Sequence, residues 1–428
     1  MEYIKKECKT FNLHMIKTKK FKATTIELIF GRDIKKEEIT ITNFLSSILT
    51  YTTKKYSTKI EFSHNMENLY AARVFANSYR LGKQYNVDFN MRILNDKYAE
   101  KGLLENSLDF LKEIIFNPNV SNNKFDETSF NVIKNDEKSQ IERFREDARR
   151  YSALRILEIT NDKAPFSYNL KGYMDDLEKI TRENLYDFYK EFVKCNNIDL
   201  FIIGDIDFKE TERIVKEKFK FEEEKAPNVF PIINLEKRKN KISEVIEPDK
   251  TNQAKLSISC RLEDLTTYER NYVLVLYNSI LGGTPDSKFF KNIREKHSLC
   301  YYVTSGANKL DNLLLISSGI TKDNYKKIIT LIKKEMNDMK KGMFSQEDID
   351  KAKRYYLSGL QEIEDSPNQI IASYYAIDKL GIDCIEKRKK TIQNVTKEDI
   401  ILLANKIFID SVYLLGGDKK WQLKNLKV

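Results

Sequence analysis

The sequence predicts an α+β protein of two duplicated domains, each an antiparallel sheet with helices on one face, paired as a clamshell. Three observations lead there. The chain has 428 residues, more than one hydrophobic core ordinarily organises. Two stretches half a chain apart, "ITRENLYDFYKEFVKCNNIDLFIIGDID" (180–207) and "VTKEDIILLANKIFIDSVYLLGGDKK" (395–420), share one plan. Within each half, runs with strand alternation and runs with helical spacing succeed one another between turn residues.

The repeat is the most informative of these. Thr181 and Thr396 lie 215 positions apart, and Asp205 and Asp418 lie 213 apart. Each copy has a Thr where a helix N-cap belongs, an acid two positions later, an amphipathic helix, and an apolar strand running into Gly-Asp. "FREDARR" (144–150) corresponds to "IEDSPNQ" (363–369), with Asp147 and Asp365 218 positions apart, and "FLSSIL" (44–49) aligns with "LYNSIL" (276–281). The drifting offset reflects loops of unequal length, which duplicated domains tolerate.

Taken in order, "FKATTIELIF" (21–30) is rich in strand formers and "ITNFLSSIL" (41–49) has helical spacing. "YNVDFNMRIL" (85–94) alternates Val87, Phe89, Met91 and Ile93 with Asp88, Asn90 and Arg92, which predicts a half-buried strand. "LLENSLDFLKEIIF" (103–116) returns to helix and stops before Pro118. The charged stretch around 220–250 holds Pro227, Pro231 and Pro248 and reads as a linker. The predicted organisation is a first domain over 1–222, a linker over 223–245 and a second domain over 246–428.

Composition narrows the function. The net charge of +10 is spread over interleaved basic and acidic residues, which does not describe a nucleic-acid-binding stripe. Five cysteines, Cys8, Cys195, Cys260, Cys300 and Cys384, stand far apart with no C-x-x-C pair, as expected of reduced thiols in a cytoplasmic protein. No apolar run has membrane-spanning length, and the first thirty residues lack a signal-peptide core. No membrane association is expected. The segment "HNMEN" (64–68) holds His64 and Glu67 at two of the three marked positions of the inverted zinc signature H-x-x-E-H, with Asn68 at the third. The apolar residues Ile60, Met66, Leu69 and Tyr70 around it predict one buried helix face. His14, His64 and His297 fall in three separate segments, so a histidine-built metal site is not expected.

The most specific run is "ILGGTPDSKFFKNIREKHSLCYYVTSG" (280–306), a Gly-Gly-x-Pro turn, a helix, and a β-rich segment. It resembles the second-domain signature of the pitrilysin/insulinase superfamily of zinc metallopeptidases, and the resemblance covers nearly the whole chain. It implies a role for Arg294 and for Tyr301 seven residues on, as the pair that binds the substrate peptide near its scissile carbonyl. Guanidinium and phenol both donate hydrogen bonds to such a carbonyl and its developing oxyanion.

The same resemblance places the zinc motif on the helix before "TTKKYS" (52–57). There Asn43 and Ser47 stand where the two histidines belong, and Ser46 where the catalytic glutamate belongs. Neither Asn nor Ser supplies the imidazole or carboxylate donors zinc requires, and a serine hydroxyl is no general base near neutrality. The distal ligand falls on Asp136 or near Phe144, depending on the gap chosen. "HNMEN" aligns instead with "REKHS" (294–298), a helix end and not the zinc helix.

Loss of the motif with retention of Arg294 and Tyr301 resembles the zinc-less members that accompany a zinc-bearing homologue in Gram-positive bacteria. The resemblance implies a chain that is no enzyme on its own, holds no cofactor, and forms a heterodimer with an insulinase-like partner carrying the zinc. That pair would enclose a peptide or protein substrate. The alternative is a non-hydrolytic peptide-binding scaffold, which the resemblance links to modification of elongation factor P.

Overall fold

A computed structural model describes residues 1–194, 197–222, 232–233, 241–249 and 253–416. Cys195, Asp418 and most of the 223–245 linker lie outside the described residues. The chain separates into two compact units, residues 1–143 with 169–231, and residues 144–168 with 232–428. The limits read from the sequence keep 144–168 in the first domain; by packing they group with the second unit.

The first unit carries β1 (Glu2–Glu7), β2 (Asn12–Lys17), β3 (Ala23–Asp33), β4 (Arg73–Leu81), β5 (Gln84–Leu94), a short ribbon of β6 (Val120–Ser121) and β7 (Lys124–Phe125), and β8 (Asn197–Gly204). Six of these strands form one sheet in the order β1-β2-β8-β3-β5-β4. Helices α1 (Ile39–Leu49), α2 (Lys59–Asn68), α3 (Leu103–Phe116) and α4 (Glu127–Glu146) follow in chain order. Then come α5 (Ala148–Asn161), which belongs to the second unit, and α6 (Met174–Lys179), α7 (Arg182–Phe192) and α8 (Phe208–Lys218). One sheet face buries Leu28, Phe89 and Leu200 against Phe44, Ile48, Leu111 and Leu185 of the helices. Each such side chain contributes about 1.5–3 kcal/mol when fully buried.

The other face corrects the half-buried reading of β5. Asp88 and Asn90 are buried, and of the three polar residues named only Arg92 is exposed. The polar side chains on this face bond one another, which alternation alone does not reveal. Asn90 Nδ2 donates to Glu27 Oε2 at 3.2 Å, and His14 Nε2 and Asp199 Oδ1 share a 3.0 Å hydrogen bond. His14 also stacks on Phe201 with ring centroids 4.0 Å apart, so it is a satisfied core histidine.

The second unit carries β9 (Ser243–Glu247), β10 (Ala254–Leu262), β11 (Cys300–Asn308), β12 (Leu313–Ile320) and β13 (Ile407–Leu415) in one sheet, order β11-β12-β10-β13-β9. Its helices are α5, α9 (Leu274–Asn278) within a continuous helical run over 269–283, α10 (Tyr325–Lys340), α11 (Gln346–Ile363), α12 (Pro367–Leu380), α13 (Ile385–Gln393) and α14 (Lys397–Ala404). Alternation along β10 separates two faces. Leu256, Ile258 and Cys260 join the core with the helical run, α10 and α14. Ser257 and Ser259 face α5, where they bond Ser152 at 2.8 Å and Thr160 at 2.6 Å. The helix read as part of the first half thus covers the second face of this sheet.

The duplication is visible strand by strand. In the first sheet β4, β5, β3 and β8 pair antiparallel in succession, and β8 then pairs parallel with β2. In the second sheet β11, β12, β10 and β13 do the same, and β13 pairs parallel with β9. Thr181 and Thr396 cap the equivalent helices α7 and α14, each leading into an interior strand, β8 or β13. The reciprocal capping partner is the residue three positions on, Asn184 in one copy and Asp399 in the other, so each Thr opens a capping box. Asp147 caps α5 through the backbone N–H groups of Arg149 and Arg150, and both α5 and its repeat counterpart α12 are 14 residues long.

Candidate functional site

Helix α1 carries Asn43, Ser46 and Ser47, the three positions that the family resemblance marks, and residues 43 and 47, one turn apart, share a face. Neighbouring backbone and side chains engage each of them. Asn43 Nδ2 donates to the carbonyl of Leu170 at 2.8 Å, and Asn43 Oδ1 accepts from the Tyr85 hydroxyl of β5 at 2.6 Å. The loop bearing Leu170 seats on the start of α1 through Gly172. That glycine has φ +92°, and a Cβ there would come within 2.9 Å of Thr40 Oγ1. Ser46 donates its hydroxyl proton to the carbonyl of Asn43 at 2.8 Å, three residues back. Ser47 donates to Glu137 Oε1 at 2.7 Å.

Sequence reasoning did not single out Glu137 of α4. It sits on α4, is only 4% exposed, and among the described residues brings the one carboxylate hydrogen-bonded to these positions. Asp136, one of the two positions left open for the distal ligand, is exposed, and Phe144 is half-buried without a ligating atom. The signal was present: Phe130, Ile133 and Glu137 recur at helical spacing, which turns Glu137 inward and Asp136 out. Burial pushes the Glu137 carboxyl above its ordinary value, while the Ser47 hydrogen bond and the Lys171 charge pull it back.

This donor set does not fit zinc. One carboxylate, one amide with both atoms engaged and one hydroxyl offer no imidazole and too little negative charge. Hydrogen bonds tie these positions to the Leu170 loop, to β5 and to α4.

"HNMEN" lies at the end of α2. His64 Nδ1 and Glu67 Oε2 form a surface pair at 3.3 Å, with both side chains largely exposed. The predicted apolar face is corrected in part: Phe62 and Leu69 are buried, whereas Ile60 and Tyr70 are exposed. The exposed pair is a local i,i+3 contact, worth a few tenths of a kcal/mol. α2 precedes edge strand β4 as the 288–295 helix precedes edge strand β11, the equivalence that the repeat predicts.

Arg294 and Tyr301 flank the equivalent turn in the second unit. Residues Phe290–Glu295 end in a widened turn, with Lys296 N–H reaching Lys291 O. Ser298, at φ +51°, then reverses the chain into β11. The exposed Arg294 stacks its guanidinium 4.7 Å from the Phe290 ring centroid. Cys300 opposes Ile320 and Tyr302 opposes Gly319, so Tyr301 is the extra residue of a β-bulge. A bulge on an edge strand re-aims its side chain, and Tyr301 is 64% exposed. No sequence pattern marked the bulge.

Comparisons with known proteins bear on this arrangement. Residues 179–356 match the family model of the peptidase M16 inactive domain. Over 94% of its length the chain is 31% identical to a Bacillus subtilis protein described as the probable inactive metalloprotease YmfF, covering 95% of that relative. A solved structure of a conserved Enterococcus faecalis protein superposes with TM-score 0.90 at 25% identity, covering 97% of this chain and 99% of that one. A peptidase M16 inactive domain from Pseudomonas fluorescens shares the fold at TM-score 0.80 and 16% identity, covering 98% of each chain. Among the described residues, no helix is long and apolar enough to cross a membrane.

Proposed function

The chain belongs to the M16, or pitrilysin/insulinase, family of peptidases as an inactive homologue, and on that premise we propose that it is the silent subunit of a two-chain metallopeptidase. The observation that carries this reading is a contrast between two places. At α1 the zinc slots are filled by an internal network around Asn43, Ser47 and Glu137. At the bulge of β11 the Arg294 and Tyr301 side chains stand exposed, with donor groups available to an incoming peptide. A chain that hydrolyses nothing has use for such donors if another chain supplies the metal.

In this reading the partner is a zinc-bearing homologue and the pair encloses a peptide. The Arg294 guanidinium and Tyr301 hydroxyl donate to the substrate carbonyl and to the negative charge that grows on it during attack. No nucleic acid or membrane takes part, and the complex works in the cytoplasm. A second reading uses the same exposed turn without hydrolysis, as a peptide-holding scaffold linked to elongation factor P modification.

The test is reconstitution. The purified chain is assayed for zinc and peptidase activity alone, then mixed with a zinc-bearing homologue from the same genome. The expected result is no stoichiometric zinc and no turnover alone, and a heterodimer that cleaves peptides faster than the partner by itself. One tightly bound zinc per chain would overturn the silent-subunit reading. Peptide binding without turnover by the pair would favour the scaffold.

A further inference from the structure

Between α2 and α3 of the first unit lies a cleft of about 480 Å³, within the range of roughly 300–1,000 Å³ that small-molecule sites occupy. Its polar wall is built on two helix faces. Asn65 and Asn68 stand three positions apart on α2, and Asn106, Asp109, Glu113 and Asn117 recur along one side of α3 as far as its C-cap. Phe110 and Leu69, both buried, form the floor, and Tyr56 packs edge-on to Phe110 with ring centroids 5.5 Å apart. The α2 pair comes from "HNMEN", the segment whose His64 and Glu67 bond each other at the surface.

Charge does not select the ligand. Lys55 and Lys112 line the cleft with the two carboxylates, so the formal charges cancel. The carboxylates are engaged as well. Asp109 Oδ1 accepts from Lys218 Nζ at 2.6 Å, and Glu113 accepts from the Lys55 backbone N–H at 2.9 Å and from Asn117 Nδ2 at 2.8 Å. The other three carboxamides have capacity to spare. Asn65 Nδ2 is buried with no hydrogen-bond partner among the described residues, a state that costs free energy and is rare in native proteins. Among the described residues nothing bonds the side chains of Asn68 and Asn106, both of which are exposed.

A carboxamide donates and accepts side by side, so these three suit a neutral ligand whose neighbouring groups each do both. Vicinal hydroxyls of a sugar have that property around the whole ring, and the ring's C–H face packs on an apolar floor. A peptide main chain offers one donor and one acceptor per residue and brings side chains to be housed. Only three of the eleven lining residues, Tyr56, Leu69 and Phe110, are apolar or aromatic, which leaves little to house them.

We infer that the cleft between α2 and α3 binds a neutral sugar of one or two rings, held by Asn65, Asn68 and Asn106 over Phe110 and Leu69. The site uses neither the α1 positions nor Arg294 and Tyr301, so it stands whether or not the two-subunit reading does.

The full chain is titrated by calorimetry and by ligand-observed NMR with glucose, N-acetylglucosamine and maltose. Saturable one-to-one binding of at least one sugar is expected, weakened at least tenfold in Asn68→Ala and in Asn106→Ala. It is expected to be unchanged in Asn131→Ala, an exposed asparagine on α4. Asn65→Leu removes an unmet buried donor, so it should abolish binding at a melting temperature no lower than the parent's. No saturable binding of any of the three sugars, no loss in the two cleft variants, or an equal loss in Asn131→Ala overturns the inference. So does tighter binding of N-acetylglycinamide, a probe for the peptide main chain. A lowered melting temperature in Asn65→Leu would show that this amide serves the fold and would overturn its place among the binding groups.

Discussion

Replacing Ser47 with alanine probes the hydrogen-bond network between α1 and the buried Glu137 of α4. Ser47 Oγ lies 2.7 Å from Glu137 Oε1, and this is the one side-chain hydrogen bond that the buried carboxylate receives among the described residues. Removing a donor from a charged, desolvated acceptor costs about 1.5–3 kcal/mol, so Ser47→Ala is expected to destabilise the chain by about 2 kcal/mol. Glu137→Gln keeps an oxygen to accept from Ser47 and removes the buried charge, so its cost at pH 7 is expected to stay within about 1 kcal/mol. Urea unfolding of both single variants and of Ser47→Ala/Glu137→Gln gives the coupling, expected at about 1–2 kcal/mol. The pH dependence carries a second signature. Because burial raises the folded pKa of Glu137 above the ordinary 4.5, its contribution is most favourable below that value and is lost as pH rises through the folded value. Glu137→Gln should remove this slope, and Ser47→Ala, lacking the bond that pulls the pKa back, should carry the slope to higher pH. A Ser47→Ala variant as stable as the parent, with no coupling to Glu137, would refute the network.

Two further outcomes follow from other parts of the fold. Thr181→Ala and Thr396→Ala each open a capping box and are expected to cost about 1 kcal/mol by urea unfolding, adding to within about 0.5 kcal/mol in the double variant because they share no partner. Burial, with Asp88 nearby, pushes Glu27 up to about 8, so the folded chain holds it mostly protonated at pH 7. Stability is therefore expected to fall between about pH 4.5 and 8, by a few kcal/mol in order of magnitude, and Glu27→Gln should remove that fall in melting temperature measured across the window.

How much the sequence disclosed depended on whether the cause was local or repeated. The capped helices at Thr181 and Thr396, and the strands that follow them, were legible because the same local chemistry occurs twice. That neither Asn43 nor Ser47 is a competent zinc ligand was legible because ligand competence is a property of the side chain itself. Glu137 was missed although its helical spacing was in view, because choosing between positions 136 and 137 depends on the rotation of α4 against α1. The buried polar face of β5 was read as solvent-facing because alternation reports two different faces, not what covers each of them. The bulge at Tyr301 depends on how β11 registers against β12, a long-range pairing that local pattern does not encode. The regrouping of α5 with the second unit depends likewise on tertiary packing, here of Ser152 and Thr160 against β10.

The most direct test of the silent-subunit account is the turnover of the reconstituted heterodimer with Arg294→Ala or Tyr301→Phe in this chain. Neither residue is buried in the core, so the variants should fold and pair with the zinc-bearing homologue as the parent does. If their donors act on the charge that develops at the substrate carbonyl, kcat/KM should fall by about 100- to 1,000-fold with the dimer intact. Unchanged turnover in an intact dimer would contradict the account.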